Sequence, residues 1–210
     1  MQEAHLAGRE LVLLVLRDGE SSSVPAARVV TLSAQLFNAT ATTETPQGVM
    51  AVARAGLCSL DEARQRASAA GWPLLMLDRV QDPGNVGTIV RSAVAAGAPA
   101  LALLPGTADP LGPKAIRASA GNVFRIALAN ASWRELRGLR GCGMSASAQT
   151  TIYDAPIEQA EMIVLGSEAH GLSADGLDLV SIPMEAGVES LNVAAAAAVL
   201  LFELRRRLHR

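Results

Sequence analysis

Short apolar runs alternate with longer segments of helical character over most of the chain. From Trp72 onward this pattern predicts six strands, at residues 74–77, 100–104, 124–127, 143–147, 162–165 and 180–182. It also predicts four helices, at about residues 86–96, 113–119, 133–139 and 191–208. Apolar strands that alternate with helices indicate a parallel sheet covered by helices on both faces. The predicted fold class of this region is therefore α/β.

The region before residue 56 gives a smaller α/β pattern. Apolar runs at 11–16, 29–32 and 49–53 predict three strands, and Ser33 is placed to cap a brief helix through Phe37. Three strands make a thin core, so this unit either leans on a neighbour or is a trimmed form of a larger module. Residues 56–71 are rich in alanine and charge and predict a helical linker. The predicted organisation is a small domain at 1–55, a linker at 56–71 and a larger domain at 72–210.

Composition restricts the partners that the chain can attract. Half of the 210 residues are apolar, which allows a sizeable core, and the formal net charge is −2. No global basic field therefore draws in nucleic acid, and any RNA contact has to come from local clusters of arginine. Only 3% of the residues are aromatic, which argues against a surface that binds single strands by stacking on their bases.

The residues that commonly hold metals or disulfides are sparse. Cys58 and Cys142 form no CxxC motif and are expected to be reduced core residues, while three histidines lie far apart without ligand spacing. We therefore expect no metal site. The N-terminus has no basic-then-apolar signal pattern, and the longest apolar run, at 193–202, is far short of the ~20 residues that cross a bilayer. We expect a soluble, cytoplasmic protein without membrane contact.

Three polar loops follow predicted strands, where ligands of parallel sheets bind. In the first, Pro83 and Gly84 break the chain, Asn85 is predicted to be the helix N-cap and Gly87 allows a close approach. Arg91 lies six residues after Asn85, and its side chain is expected to point back towards the N-terminal end of the helix, where anions are favoured. This loop is either a phosphate clamp or an ordinary capped turn with a surface arginine.

The second loop, at 166–173, resembles a phosphate-binding loop with one residue changed. Leu172 stands where a lysine would have to reach the phosphates, so nucleotide hydrolysis is unsupported, and no G-x-G-x-x-G fingerprint occurs. The third loop presents Ser190 and Asn192 at the mouth of a long apolar helix, where simple helix capping is the alternative role. Main-chain groups of Gly166, Ile182 and Leu191 could line one apolar cleft, which suits an adenine and a sulfonium better than a polyphosphate.

Lys114, which is the only lysine of the chain, and Arg117 lie three residues apart in a predicted helix. That spacing puts both cations on one face. Phosphate contact and a solvated surface are equally consistent with the pattern.

Four ordered motifs resemble those of the TrmH (SpoU) family of RNA ribose 2′-O-methyltransferases, within the SPOUT superfamily. They are DxxxDPGNxGTIxRSA, RASAGNVFR, LGSEAHGLS and IPMEAGVESLNVAAAAAVLLFE, and the likeness covers about residues 72–210. Residues 45–51 resemble the end of the small substrate-binding domain that many members carry before the catalytic domain. We expect that domain to be short at its start here, either because it is abbreviated or because the sequence begins inside it.

The resemblance implies a SPOUT-type parallel sheet with a C-terminal trefoil knot, a homodimer built around the knot and S-adenosylmethionine as the methyl donor. Carried over by position, the cofactor contacts are Ser145, Ala146, Leu165, Gly166, Ile182, Met184 and Leu191. The polar catalytic set is Asn85, Arg91, Glu168, Ser190 and Asn192, and Lys114 and Arg117 are the expected RNA contacts.

The resemblance also implies a mechanism, in which the enzyme aligns a ribose hydroxyl with an activated methyl group and removes a proton. A guanidinium rarely gives up its proton, so Arg91 is expected to grip the phosphate beside the target ribose. That phosphate or a transiently neutral Arg91 would accept the proton. Ribosomal RNA is the favoured substrate, because the small leading domain is less typical of stand-alone transfer-RNA enzymes. A transfer-RNA methyltransferase and a non-catalytic RNA-binding protein on the same fold are the alternatives.

Overall fold

The computed structural model describes residues 1–43, 45–166, 171–173 and 176–209, and these form two compact units. The first unit is Met1–Gly56 and the second is Leu57–Arg210. The domain roles predicted for residues 1–55, 56–71 and 72–210 stay predictions. Glu168 and His170 lie outside the described residues.

The first unit is a three-stranded sheet with two short helices. Its elements are α1 (Gln2–Leu6), β1 (Leu11–Arg17), β2 (Val29–Leu32), α2 (Ala34–Thr40) and β3 (Val49–Ala53). The strand order is β2-β1-β3, with β2 parallel and β3 antiparallel to β1. Ser33 caps α2 as predicted, because its hydroxyl accepts a hydrogen bond from the Leu36 amide at 3.4 Å. The short helix α1 has no counterpart in the sequence-based prediction.

The second unit is a six-stranded sheet with helices around it. Its helices are α3 (Leu60–Ala69), α4 (Pro83–Ala96), α5 (Pro113–Ala118) and α6 (Val193–Leu208). Its strands are β4 (Leu74–Asp78), β5 (Ala100–Leu103), β6 (Ala127–Asn130), β7 (Gly141–Met144), β8 (Met162–Gly166) and β9 (Asp178–Val180). The order is β6-β5-β4-β8-β7-β9, and every pairing between these strands is parallel. The trefoil knot stays a prediction.

Burial explains why the strand-forming segments read as continuous apolar runs. All five residues of β4 are buried, because the strand lies inside the sheet and both of its faces are covered. Ala63 and Ala67 of α3 pack into a cluster with Leu74 and Met76, so the segment predicted as a linker is packed against the sheet. The predicted α/β class with a parallel sheet and flanking helices is confirmed.

Two predicted elements of the second unit are wrong. Residues 133–139 form turns rather than a helix: the Glu135 carboxylate folds back onto the Ser132 amide at 2.9 Å, and Gly138 has a left-handed φ of 86°. Trp133 and Leu136 therefore pack inward without helical hydrogen bonding. The strand predicted at 124–127 starts later, at Ala127, after a 3-10 turn at Asn122–Phe124.

The approach of α4 to α5 explains Gly87. A Cβ atom at Gly87 would overlap the carbonyl oxygen of Ala115 and lie 2.7 Å from Cβ of Ala118. Glycine is therefore needed so that the two helices can touch. The close approach that the sequence predicted at Gly87 is made by another helix.

Candidate functional site

A cavity of about 370 Å³ opens where β7, β8 and β9 end and α6 begins. It is lined by residues from four chain segments that are far apart in sequence. All seven predicted cofactor residues line it, namely Ser145, Ala146, Leu165, Gly166, Ile182, Met184 and Leu191. Ser190, predicted as catalytic, also lines it. The second and third polar loops therefore meet at this cavity.

Six further residues line the cavity and were not predicted. They are Met144, Gly171, Leu172, Leu179, Val193 and Ala196. A signal for Leu172 was present in the sequence, since it stands where a phosphate-binding loop would carry lysine. A leucine in place of that lysine indicates an apolar cavity wall instead of an anion site. None of the described lining residues is charged.

The backbone beside Gly166 is packed too closely for a side chain. A Cβ atom there would lie 2.5 Å from the carbonyl oxygen of Gly171 and 2.8 Å from its carbonyl carbon. The end of β8 is therefore in direct contact with the returning chain at Gly171. On the opposite side, the Ser145 amide donates to Val180 at 2.9 Å and the Ser181 amide donates to Thr150 at 2.9 Å. These bonds hold the loop that follows β7 beside the cavity.

Asn192 joins the first loop to the third. Its side-chain oxygen accepts from the amides of Ala194 at 2.9 Å and Ala195 at 3.4 Å, so it is the N-cap of α6. Its Nδ2 donates to Oδ1 of Asn85 at 3.2 Å. Capping and the contact with Asn85 therefore use different atoms of one side chain.

The prediction that Asn85 caps α4 is wrong. The cap is Asp82, whose carboxylate oxygen Oδ1 accepts from the amides of Gly84 at 2.5 Å and Asn85 at 3.1 Å. Pro83 then occupies the first helical position, where its fixed φ suits a helix and its missing N–H costs nothing. Asn85 is thereby left inside the first turn, with its side-chain oxygen directed at Asn192.

Arg91 is exposed on α4 and does not line the cavity. It lies four residues after Gly87 and seven after Gly84, so it shares their face of the helix. Among the described residues, none forms a hydrogen bond or ion pair with Arg91. The structure therefore places Ser190 on the cavity wall, joins Asn85 to Asn192 by a hydrogen bond, and leaves Arg91 outside both groups.

Lys114 lies beside the start of α4. Its ammonium is 2.8 Å from Oδ2 of Asp82, and both side chains are largely exposed. The hydrogen bond from Lys114, followed by those from the Asn85 and Gly84 amides, holds the pKa of Asp82 below its usual value. Arg117 is exposed one turn further along α5. The two predicted RNA contacts thus share one helix, and one of them is tied to the cap of α4.

The remaining reactive groups offer no competing site within the described ranges. Cys58 is half-buried and Cys142 is buried, and burial raises the pKa of both thiols. Both are therefore weak nucleophiles at neutral pH. In the part of the chain that the structure describes, no three metal-binding side chains come together. No helix there is long and apolar enough to span a bilayer.

Comparison with known proteins links this geometry to one family. The model of the SpoU rRNA Methylase family matches residues 73–202. The 23S rRNA (guanosine(2553)-2′-O)-methyltransferase RlmP of Bacillus subtilis is 34% identical over 184 residues, which cover 83% of this chain and 71% of that protein. The 23S rRNA (uridine(2479)-2′-O)-methyltransferase of Streptomyces viridochromogenes is 32% identical over 180 residues, which cover 78% of this chain and 62% of that protein.

Solved structures agree with the sequence relatives. The SpoU methyltransferase AviRb from Streptomyces viridochromogenes superposes on 99% of this chain and 86% of its own, with a TM-score of 0.81 and 27% identity. Its complex with the cofactor AdoMet gives a TM-score of 0.80 at 27% identity, over 98% of this chain and 86% of that one. A structure concerned with 2-OH methylation of C/U34 on tRNA covers 65% of this chain and 90% of its own, with a TM-score of 0.58 and 29% identity.

Proposed function

The chain belongs to the SpoU rRNA methylase family, and we propose that it transfers the methyl group of S-adenosylmethionine to a ribose 2′-hydroxyl of ribosomal RNA. It is an RNA methyltransferase, and S-adenosylmethionine is its cofactor. The observation that carries the proposal is the single cavity on which all seven predicted cofactor residues lie. An RNA substrate of this kind also places the reaction in the cytoplasm.

The chemistry of the cavity wall suits this cofactor. Its volume of about 370 Å³ is in the range of small-molecule sites, roughly 300–1,000 Å³. Apolar side chains such as Leu165, Leu172 and Ile182 offer contact to the adenine and to the methylene groups of the methionine chain. The described wall carries no cation, so it would not repel a sulfonium and would bind a polyphosphate poorly. The bound cofactor supplies an activated methyl group.

The polar residues at the cavity mouth position the acceptor. Ser190 lines the cavity and Asn192 lies two residues further along, bonded to Asn85 at 3.2 Å. We assign to this group the alignment of the ribose hydroxyl with the methyl group, since reaction requires near-contact in the right direction. The capping bonds that fix Asn192 keep its rotamer ready before RNA arrives.

Arg91 handles the phosphate and, indirectly, the proton. A guanidinium forms paired, charge-assisted hydrogen bonds with phosphate oxygens, so we assign to Arg91 the grip on the phosphate beside the target ribose. The hydroxyl proton passes to that phosphate or to a transiently neutral Arg91. Glu168 is assigned to holding Arg91 in place.

We favour ribosomal RNA over transfer RNA as the substrate because the relatives differ in how much of this chain they match. AviRb superposes on 99% of the chain, which includes the small first unit. The structure concerned with tRNA covers only 65% of it. We therefore assign to the first unit the capture of substrate RNA, as in the predicted substrate-binding domain.

A homodimer is part of the proposal. Val199 and Phe202 are exposed on α6 to 37% and 50%, and their spacing of three residues puts both on one face. Leu191, at the cavity mouth, is exposed to 36%. A second copy that covered this apolar face would remove it from water. Such a dimer around the knot region would also bring a second α6 close to the cavity.

A methyl-transfer assay tests the proposed activity. The full chain is incubated with S-adenosylmethionine labelled in its methyl group and with total RNA from cells that lack this enzyme. We expect label in the large ribosomal RNA, at a 2′-O-methylribose. Label in the transfer-RNA fraction alone would identify transfer RNA as the substrate. No label in either fraction would contradict the proposed activity and favour a non-catalytic RNA-binding protein.

A further inference from the structure

Asp78, the last residue of β4, and Arg79, which follows it, contact the wall of the cavity. Asp78 is fully buried, with 0% of its surface exposed. Arg79 has a φ of 56°, in the left-handed region that few non-glycine residues adopt. Backbone strain of this kind persists where the surrounding structure holds it in place, often at functional sites.

Asp78 binds the segment 171–173 through Ser173. The amide of Ser173 donates to Oδ2 of Asp78 at 2.6 Å, and its hydroxyl donates to Oδ1 at 2.8 Å. The indole Nε1 of Trp133 donates to the same hydroxyl oxygen at 2.7 Å. These hydrogen bonds offset the cost of burying a carboxylate and fix Ser173 against the end of β4.

Arg79 binds the same segment through Gly171. Its Nη2 donates to the Gly171 carbonyl oxygen at 3.4 Å, a long hydrogen bond. Its side-chain stem lies against the loop after β5, because Cγ is 3.1 Å from the place of a Cβ atom at Gly106. The left-handed backbone of Arg79 thus directs its guanidinium past the loop after β5 towards the carbonyl oxygen of Gly171.

The segment 171–173 is also a wall of the cofactor cavity. Gly171 and Leu172 line it, and the Leu172 side chain fills the space beside Gly143 where a Cβ atom would overlap it. Gly171 in turn presses on Gly166 at the end of β8. The shape of the cavity therefore depends on where Asp78 and Arg79 hold this segment.

We propose that Asp78 and Arg79 are positioning residues that latch the segment 171–173 and so set the affinity for S-adenosylmethionine. The inference rests on the proposed function, since it assumes that this cavity receives the cofactor. It also explains why a strained arginine stands where glycine would be unstrained. The same side chain has its Nε 3.5 Å from Oδ1 of Asp78, so Arg79 contacts both Asp78 and the Gly171 carbonyl.

The test separates strain from latching by comparing two left-handed positions. Arg79→Gly removes both the strain and the latch, whereas Ala120→Gly, at the other non-glycine residue with positive φ (51°) in the described part of the chain, removes strain alone. Both variants should melt at or above the temperature of the wild type. By isothermal titration calorimetry, Arg79→Gly should bind S-adenosylmethionine roughly fivefold more weakly, while Ala120→Gly should match the wild type. Arg79→Lys, which keeps one donor, should recover part of the affinity.

A second readout does not require the cofactor to bind. In a Trp72→Phe background Trp133 is the only remaining tryptophan, and Ser173→Ala removes its hydrogen-bond partner. We expect a shift in Trp133 emission in Ser173→Ala, and faster hydrogen exchange at the amides of residues 171–173 in Arg79→Gly but not in Ala120→Gly. If Arg79→Gly changes neither the affinity for S-adenosylmethionine nor the hydrogen exchange of residues 171–173, the latch is contradicted. A higher KM for RNA in Arg79→Gly without any change in cofactor affinity would also contradict it. If the wild type fails to bind the cofactor, the proposed function fails, and the exchange measurement still decides whether the latch exists.

Discussion

The arginines at the end of α6 are engaged within the chain. Arg205 donates to the carbonyl oxygen of Ala96 at 2.9 Å, where α4 ends, and Arg206 binds Glu203 at 2.6 Å. Arg207 donates to three carbonyl oxygens and is paired with Glu158 at 2.8 Å. The basic residues at the end of α6 therefore serve packing within the chain. Sequence counts the cations but does not say what each of them binds.

Lys114 and Arg117 remain the cations to test for RNA contact. Replacing both with alanine should raise the KM for RNA and reduce the slope of log KM against log salt by about one for each phosphate contact that is lost. Asp82 keeps its two amide hydrogen bonds in the variant, so α4 should stay capped. Initial rates measured across a salt series give the slope.

The control for that pair is Arg66→Ala. Arg66 is an exposed cation with a carboxylate partner, Glu62, at 2.7 Å, and so resembles Lys114 in charge and pairing. It should leave both the KM and the salt slope unchanged. Equal slopes in the double variant and the wild type would count against RNA contact on α5.

Arg91 carries the most specific prediction at the scale of a residue. Arg91→Ala should reduce turnover by roughly a hundredfold or more, because a charged contact to the transition state is lost. The affinity for S-adenosylmethionine should stay unchanged, because Arg91 is exposed and lies off the cavity wall. Single-turnover kinetics and calorimetry measure the two quantities separately. Turnover that stays within about tenfold of the wild type would contradict the assigned role.

Helix α6 is the element that links the site to the core. Asn192 caps its first turn beside the cavity, and near its other end Glu203 is only 8% exposed and binds Arg206 and Arg207. Hydrogen bonds from Arg206 and then Arg207 outweigh the effect of burial and lower the pKa of Glu203 to about 2. The helix is thus anchored by polar contacts at both ends.

The pKa of Glu203 predicts a pH dependence of stability. Because the folded-state pKa is depressed from the usual value of 4.5, the carboxylate stabilises the fold above about pH 4.5, and this contribution is lost as the pH falls towards 2. The full shift corresponds to at most about 3 kcal/mol. Glu203→Gln should therefore be less stable than the wild type at pH 7, and the difference should shrink as the pH falls from 4.5 to 2.5. Urea denaturation at several pH values gives this difference.

Glu62→Gln provides the matched comparison. Glu62 also pairs with an arginine one helical turn away, at 2.7 Å, but both partners are exposed. Its replacement should change stability by less than about 0.5 kcal/mol at every pH. A stability difference between Glu203→Gln and the wild type that stays constant with pH would contradict the assignment of a low pKa to Glu203.

At the scale of elements, the sequence predicts best where burial is complete. The strands at Leu74–Asp78 and Met162–Gly166 were found within one residue, because a strand buried on both faces must be apolar throughout. The helix predicted at residues 133–139 is wrong because the inward-facing Trp133 and Leu136 have helical spacing, although turns form this segment. The N-cap of α4 was misassigned because Asp82 and Asn85 are both good caps, and only the position of the turn decides between them.

At the scale of the whole molecule, the motifs identified the cavity residues but not how they are brought together. The motif likeness assigned Ser145, Gly166, Ile182 and Leu191 to one ligand, and they line one cavity. The strand order β6-β5-β4-β8-β7-β9, which brings their loops together, is a long-range property that no local pattern encodes. The wall formed by Gly171 and Leu172 depends in the same way on its distant contact with Asp78 and Arg79.

The proposed dimer is tested by placing a charge on the exposed face of α6. Phe202→Glu should convert a dimer to a monomer, because a buried unpaired carboxylate in an apolar interface is costly. Leu36→Glu changes a similarly exposed apolar side chain, at 58%, on α2 and should stay dimeric. Light scattering after size-exclusion chromatography gives the masses. A wild type that is monomeric at all concentrations, or a Phe202→Glu variant that stays dimeric, would contradict an interface on this face.

The central claim is that the cavity where β7, β8 and β9 end receives S-adenosylmethionine. Isothermal titration calorimetry on the wild type and on Ala196→Leu tests it most directly, because Ala196 lines the cavity from α6 and a larger side chain there fills it. Ala69→Leu, at an exposed position of α3, is the control. We predict one site per chain in the wild type and in Ala69→Leu, and affinity at least about tenfold weaker in Ala196→Leu with the melting temperature retained. Equal affinity in all three proteins would show that the cofactor binds elsewhere.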